Sequence, residues 1–257
     1  MISFDEVIAY IADYDPWFPR SIEAASAGEI AELEALTGGE LPEAYHDFLA
    51  VMGRHTAWID VQRLDFRIGT VLDYYRRDDA LPVNEFLRIG SDTKDPSFNP
   101  HLQHSQHSLA ASNAKVVVFP GCTPATFADI TARYLNYVAG SLQEMVCRPA
   151  FRIFEIFGPE RQPVMIRADV GIAGQIDQLE AMLLAEYGLE PVFWSNGQVR
   201  GYASPDIALE AMQFVARPLE ILLRVTDQVK QGSIARSLAA RLNARISTPS
   251  PPLVLQR

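Results

Sequence analysis

The chain has 257 residues, 48% of them hydrophobic and 21% charged, the balance of an ordinary globular protein rather than of a disordered or coiled-coil one. A net charge of −10 disfavours general attraction to nucleic-acid phosphates, and two cysteines provide neither a disulfide framework nor a Cys-x-x-Cys metal knuckle. No stretch approaches the roughly 20 apolar residues of a membrane span, and Met1 to Glu6 lack the basic flank and apolar core of a signal peptide, so the cytoplasm is the expected location.

Helix starts are written clearly near the N-terminus. Ser3 and Glu6 have the spacing of a capping box, Ile2 and Val7 that of a hydrophobic staple, and Phe4, Val7, Ile8 and Ile11 form one apolar stripe before the break at Asp15 to Pro19. A second capping box, Ser26 with Glu29, opens a helix through Ile30, Leu33 and Leu36 that Gly38 and Gly39 end. Pro42 then suits the first turn of a third helix, in which Tyr45, Phe48, Leu49 and Met52 share one face before Gly53.

Residues 1–60 hold twelve Asp and Glu against only Arg20 and Arg54, which accounts for the whole negative excess. The helix pair is expected to carry Glu29, Glu32, Glu34, Glu40, Glu43 and Asp47 on its solvent side. From residue 228 onward the pattern reverses, with Lys230, Arg236, Arg241, Arg245 and Arg257 and no acid.

Short apolar runs at 57–61, 64–68, 86–89 and 115–119 read as strands, 71–75 as a helical turn, and 91–114 as a long loop. A helix is predicted from Phe127 through Val138 to Gly140, and Pro149 marks a boundary. Beyond it the expected order is a strand pair (151–157 and 163–169), a helix from Ile172 to Tyr187, a hairpin around Asn196 and Gly197 with strands at 191–194 and 198–203, a helix from Ser204 through Leu209 and Met212, and a strand at 219–225. That is read as a ferredoxin-like βαββαβ order. A basic helix at about 232–245 and a Pro-rich tail expected to be disordered follow. The fold class is therefore α+β, with domains at 1–148 and 149–230 and a C-terminal segment at 231–257.

The residues Glu29 to Glu34, then Gly39 to Leu49 with Pro42, Tyr45 and Phe48, and Gly53, resemble the signature of the SUKH superfamily, and Phe86 to Asp92 is similar to the family's next block. The resemblance covers about residues 22–140. It implies helices packed on an antiparallel sheet and a protein that acts by binding proteins: a bacterial immunity protein that neutralises a toxin, or a regulator of the cell-wall synthesis type. The residues that carry it start, pack and stop one helix, which is scaffolding rather than chemistry.

Candidates for chemistry are sparse. His101, His104 and His107 recur every third residue, but positions 101 and 107 diverge by about 120° on a helix and no acid or cysteine completes a zinc site. Cys122 stands between a strand and a helix with no assignable base. Arg200, Gly201, Tyr202 and Ala203 resemble the start of an RNA-binding block, yet Ser204 and Pro205 cut it short and no aromatic platform precedes it. The reading is thus of a non-catalytic binder with no metal and no cofactor, whose partner is another protein, of which a basic toxin domain is one form, engaged through Glu32, Glu40, Glu43 and Asp47. A regulatory scaffold of the same superfamily is the alternative, and a metal-dependent or thiol enzyme comes third.

Overall fold

The computed structural model describes residues 2–62, 64–77, 80–81, 83, 85–95, 99–103, 114–119, 125–158, 162–169, 172, 174–214 and 217–249. The chain is an α+β protein that divides into two compact units, residues 1–146 and 147–257. No described helix is long and apolar enough to cross a membrane.

In the first unit both capping boxes form. Helix α1 (Phe4–Ala12) opens with the Ser3 hydroxyl accepting from the Glu6 amide while the Glu6 carboxylate accepts from the Ser3 amide, and Phe4, Val7 and Ile11 are buried. A short turn of helix, α2 (Phe18–Ser21), leads through β1 (Ile22–Glu23) to α3 (Ala27–Thr37), capped by Ser26 and Glu29 and ended at Gly38, whose φ of +83° is the left-handed conformation glycine accepts without strain. Pro42 is the N-cap residue of α4 (Glu43–Met52), a position where a missing N–H leaves no helical bond unmade. Tyr45, Phe48, Leu49 and Met52 are each fully buried, which contributes about 1.5–3 kcal/mol per side chain before entropy is counted. Phe48 is the hub: its ring lies 5.7 Å from Phe4, 6.2 Å from Tyr45 and 6.3 Å from Phe66.

After α4 the expected strands shorten or change kind. Strand β2 (His55–Thr56) pairs with β1, and residues 57–62 form a 3-10 helix where a strand was expected. Only Leu64–Asp65 (β3) is extended in the next run, because α5 (Ile68–Tyr75) begins at once to bury Ile68, Val71, Leu72 and Tyr75. The strands β4 (Phe86–Arg88), β6 (Asn99–Gln103), β7 (Lys115–Phe119) and β8 (Asn136–Ala139) make an antiparallel sheet in the order β4-β6-β7-β8, while β5 (Ser91–Asp92) pairs with β3. The segment read as one loop over 91–114 therefore includes two strands, and the helix expected to run to Gly140 stops at Tyr134 (α6, Phe127–Tyr134) so that Asn136–Ala139 can pair with β7. Gly90 is tightly enclosed: a Cβ there would lie 2.7 Å from the Asp65 carbonyl oxygen and 2.9 Å from Phe66.

The second unit begins at Cys147, two residues before the boundary read at Pro149, and inside α7 (Leu142–Phe151), which includes that proline. Residues 152–156, expected as a strand, continue as a π-helix closed by Phe157 N–H to the Arg152 carbonyl at 2.8 Å. Strand β9 (Val164–Ala168) and helix α8 (Gln175–Tyr187) follow as expected, then β10 (Val199–Ala203), β11 (Ile207–Met212) and β12 (Glu220–Val225). Residues 191–194 supply one isolated bridge, Pro191 to Tyr202, instead of a full strand. Helix α9 (Gln228–Leu242), capped by Asp227, leads into β13 (Ala244–Ser247). The antiparallel sheet runs β10-β11-β12-β9-β13.

This order is not βαββαβ: β11 is a strand where a helix was expected, and the second helix is α9. The basic segment set apart at 231–257 is also part of this unit, since α9 buries Ile234, Ala235, Leu238 and Leu242 and β13 completes the sheet. The Pro-rich tail beyond residue 249 lies outside the described residues.

Alternation along the central strands separates two faces. Leu209, Ala211, Ile221, Leu223 and Ile166 join α8 and α9 in one apolar core. On the other face Glu210, fully buried, accepts from Arg148 (3.1 Å) and Arg152 (2.6 Å), and Arg224 reaches the Glu155 carboxylate and carbonyl, both at 2.9 Å. Burial pushes the Glu210 pKa up, but the two guanidiniums outweigh it and hold the carboxyl below its usual range.

Two outcomes follow. Gly90→Ala is expected to lower the free energy of unfolding in urea by about 1–3 kcal/mol through overpacking against the Asp65 backbone. Glu210→Gln leaves two buried guanidiniums short of a counter-charge and is expected to lose about 3–5 kcal/mol. Because the folded pKa of Glu210 is depressed, its stabilisation is complete above the unfolded carboxylate pKa and is lost as pH falls, so the Gln variant should show a flatter acid limb in stability measured against pH.

Candidate functional site

The acidic residues near the N-terminus do not share one fate. Arg54 takes up two of them, lying 3.3 Å from Glu23 and 2.9 Å from Glu29, which also caps α3 through Ser26. These hydrogen bonds, from Ser26 first and then Arg54, hold the Glu29 carboxyl below the usual range. Arg76, at the end of α5, takes Glu32 at 2.8 Å together with Asp73 at 3.0 Å. Glu34 turns back to accept from the Leu41 amide at 3.4 Å. Three of the six acids expected to be free on the solvent side are thus engaged within the unit.

The remaining three lie along α4 and its approach. Glu43, His46, Asp47 and Ala50 recur at i, i+3, i+4 and i+7, the strip opposite Tyr45, Phe48, Leu49 and Met52, and all four are exposed. Glu40 precedes them, also exposed. Among the described residues neither Glu40 nor Glu43 pairs with a Lys or Arg, and of basic groups Asp47 has only the His46 imidazole within 4 Å, at 3.8 Å. Of the expected partner-binding set, Glu43 and Asp47 therefore share the outer face of a helix whose other face is buried in the core, Glu40 is exposed on the approach to it, and Glu32 is committed to Arg76.

The residues weighed for chemistry separate in a different way. His101 lies in β6 rather than in a loop, 5% exposed, with Nδ1 2.8 Å from the Asn99 carbonyl and its ring stacked 4.1 Å from Phe119. Burial pushes its pKa down to about 3, with Arg88 a smaller contribution in the same direction, so the ring is a neutral core element and not a solvent-facing ligand. His104, His107 and Cys122 lie outside the described residues; among the described residues no cluster of three metal-ligating side chains occurs. Cys147 is buried in α7. Arg200, in β10, is engaged by Asp177 at 2.6 Å and Glu180 at 2.7 Å, and Tyr202 is buried with its hydroxyl on Glu180, so neither is presented to a base.

The group that the sequence reading missed is the set Arg148, Arg152, Glu210, Arg224 and Glu155, of which Glu210 and Arg224 are buried and the other three partly so. Its signal was faint: the i, i+4 spacing of Arg148 and Arg152 and a lone glutamate in an otherwise apolar run, Ile207 to Met212. Each of its guanidiniums is matched to a carboxylate inside the same unit, an arrangement that fixes structure.

Neutral His101 makes a measurable difference. With a folded pKa near 3 and an unfolded value near 6.5, the unfolded chain binds the extra proton between those limits, so stability should fall as pH drops below about 6.5, by about 1.4 kcal/mol per pH unit. His101→Phe should remove that slope in urea titrations between pH 6.5 and 4, and a slope that persists unchanged would place the proton elsewhere. No protein-family model matches the chain, and no curated protein matches it.

Proposed function

We propose that this chain works by binding another protein, without covalent chemistry of its own, and that it does so in the manner of the SUKH-type immunity proteins that its N-terminal residues resemble. The observation that supports this reading is the set Glu40, Glu43 and Asp47: exposed carboxylates that pair with no Lys or Arg among the described residues, two of them on a helix anchored by four fully buried side chains and the third just before it. A rigid negative surface of this kind suits a basic partner, such as the substrate-binding cleft of a nuclease toxin, because long-range attraction speeds encounter and the fixed helix spares the entropy of ordering on contact.

The test uses the partner captured from the producing cell by the full-length chain. Reversing Glu40, Glu43 and Asp47 to Lys should slow association about tenfold at low ionic strength and flatten its dependence on salt, with the far-UV circular dichroism unchanged. An association rate that ignores the reversal would overturn the assignment of this surface. Glu32→Gln, which releases Arg76, should change the rate far less, because that charge is already neutralised.

A further inference from the structure

Trp17 is 67% exposed, and it differs from the other exposed apolar residues in how it is held. Scattered apolar side chains on a surface are ordinary, and Val229, Ile172 and Leu184 need no explanation. Trp17 instead stands on a turn fixed at every side. Its amide donates to the Asp15 carboxylate at 3.1 Å, the Ser21 hydroxyl donates to its carbonyl at 3.0 Å, and the amide of Arg20 donates to the same carbonyl at 3.0 Å. Pro16 precedes it, Pro19 follows in α2, and the next residue, Phe18, is wholly buried with its ring 5.9 Å from Trp58. The backbone that carries the indole is therefore set before any partner arrives.

The cation beside it is equally telling. Arg20 and Arg54 are the two bases among the first 60 residues, against twelve acids. Arg54 is paired with Glu23 and Glu29, whereas Arg20 makes no ion pair among the described residues and lies over the Trp17 ring, 5.2 Å from its centroid. In so acidic a segment Arg20 keeps an exposed guanidinium against the indole, where an acidic partner could meet the cation and the ring together. Trp and Arg are among the residue types enriched at the energetic centres of protein interfaces.

We infer that Trp17 and Arg20 form the anchor of a protein interface, with the indole seated in an apolar socket of the partner and Arg20 pairing with a carboxylate at the rim of that socket. This rests on the reading of the N-terminal unit as a protein-binding platform and adds a second contact, of opposite chemistry to the α4 strip. A second copy of the chain is disfavoured as the occupant, since two molecules of charge −10 repel each other.

The experiment replaces Trp17 with photoreactive p-benzoylphenylalanine in the full-length chain, irradiates the producing cells and sequences the crosslinked peptide. The expected result is one adduct with a different protein, joined at a segment that contains Asp or Glu, its yield reduced about tenfold by Arg20→Glu; with that partner purified, Trp17→Ala should raise Kd about thirtyfold or more. No adduct, an adduct with a second copy, a crosslinked segment lacking an acid, or indifference to Arg20→Glu would each overturn the inference. The two readings fail separately. Loss of the α4 charge dependence with the Trp17 adduct intact refutes only the strip, and the reverse refutes only the anchor.

Discussion

A carboxylate with no exposure at all, in the middle of a five-stranded sheet, sets the terms for the C-terminal unit. Glu210 cannot stay ionised there without positive charge at contact distance, and Arg148 and Arg152 supply it from one side of the same helix. Once those two guanidiniums are fixed, the course of the chain from 148 to 156 is fixed too. The π-helical turn that follows Pro149 places Glu155 where Arg224 of β12 can grip both its carboxylate and its carbonyl, so β11 and β12 are tied to the same short segment by five charged side chains. One face of the sheet is thus held by apolar area against α8 and α9, the other by ion pairs with defined directions. The second kind of contact specifies position more narrowly than the first.

The N-terminal unit distributes its charge differently. Three of its arginines pair with acids of the same unit: Arg54 near the start of α3, Arg67 on Asp65, Arg76 between α3 and α5. The pairs of Arg54 and Arg76 lie at the surface and stabilise little, but they decide which carboxylates remain available. Glu43 and Asp47 are left over on α4, whose inner face is fully buried at Tyr45, Phe48, Leu49 and Met52, so a helix held firmly by its core carries two carboxylates outward.

The parts of this fold that could be read from sequence were those in which local chemistry and tertiary demand agree. The Ser3–Glu6 and Ser26–Glu29 boxes are self-contained devices, and the Tyr45, Phe48, Leu49, Met52 spacing has one helical solution. Where the two disagreed, tertiary contact prevailed. Ile207 to Met212 is rich in residues that favour helices, yet all six are buried on both faces between β10 and β12, which a strand satisfies and an amphipathic helix does not. The apolar run at 151–157 reads as a strand, but its polar residues stand three apart and a helical turn delivers Arg152 and Glu155 to the sheet. His101 looked like one of a row of imidazoles because sequence does not show that Phe119 would lie against it. At the candidate site, the acidic strip was legible as composition, whereas the capture of Glu32 by a residue 44 positions later was not.

Strand β9 has both of its neighbours still to come when it leaves the ribosome. It lies between β12 and β13, the last two strands of its sheet, and helix α9 must form before the second of them can arrive. Until then Ile166 and Ala168, which end in the core, have no strand on either side. Such an arrangement loads the unit with distant pairings, which makes assembly slow and late, and it gives the nascent chain a period in which an apolar, unpaired strand depends on chaperones or on chance for protection from its neighbours.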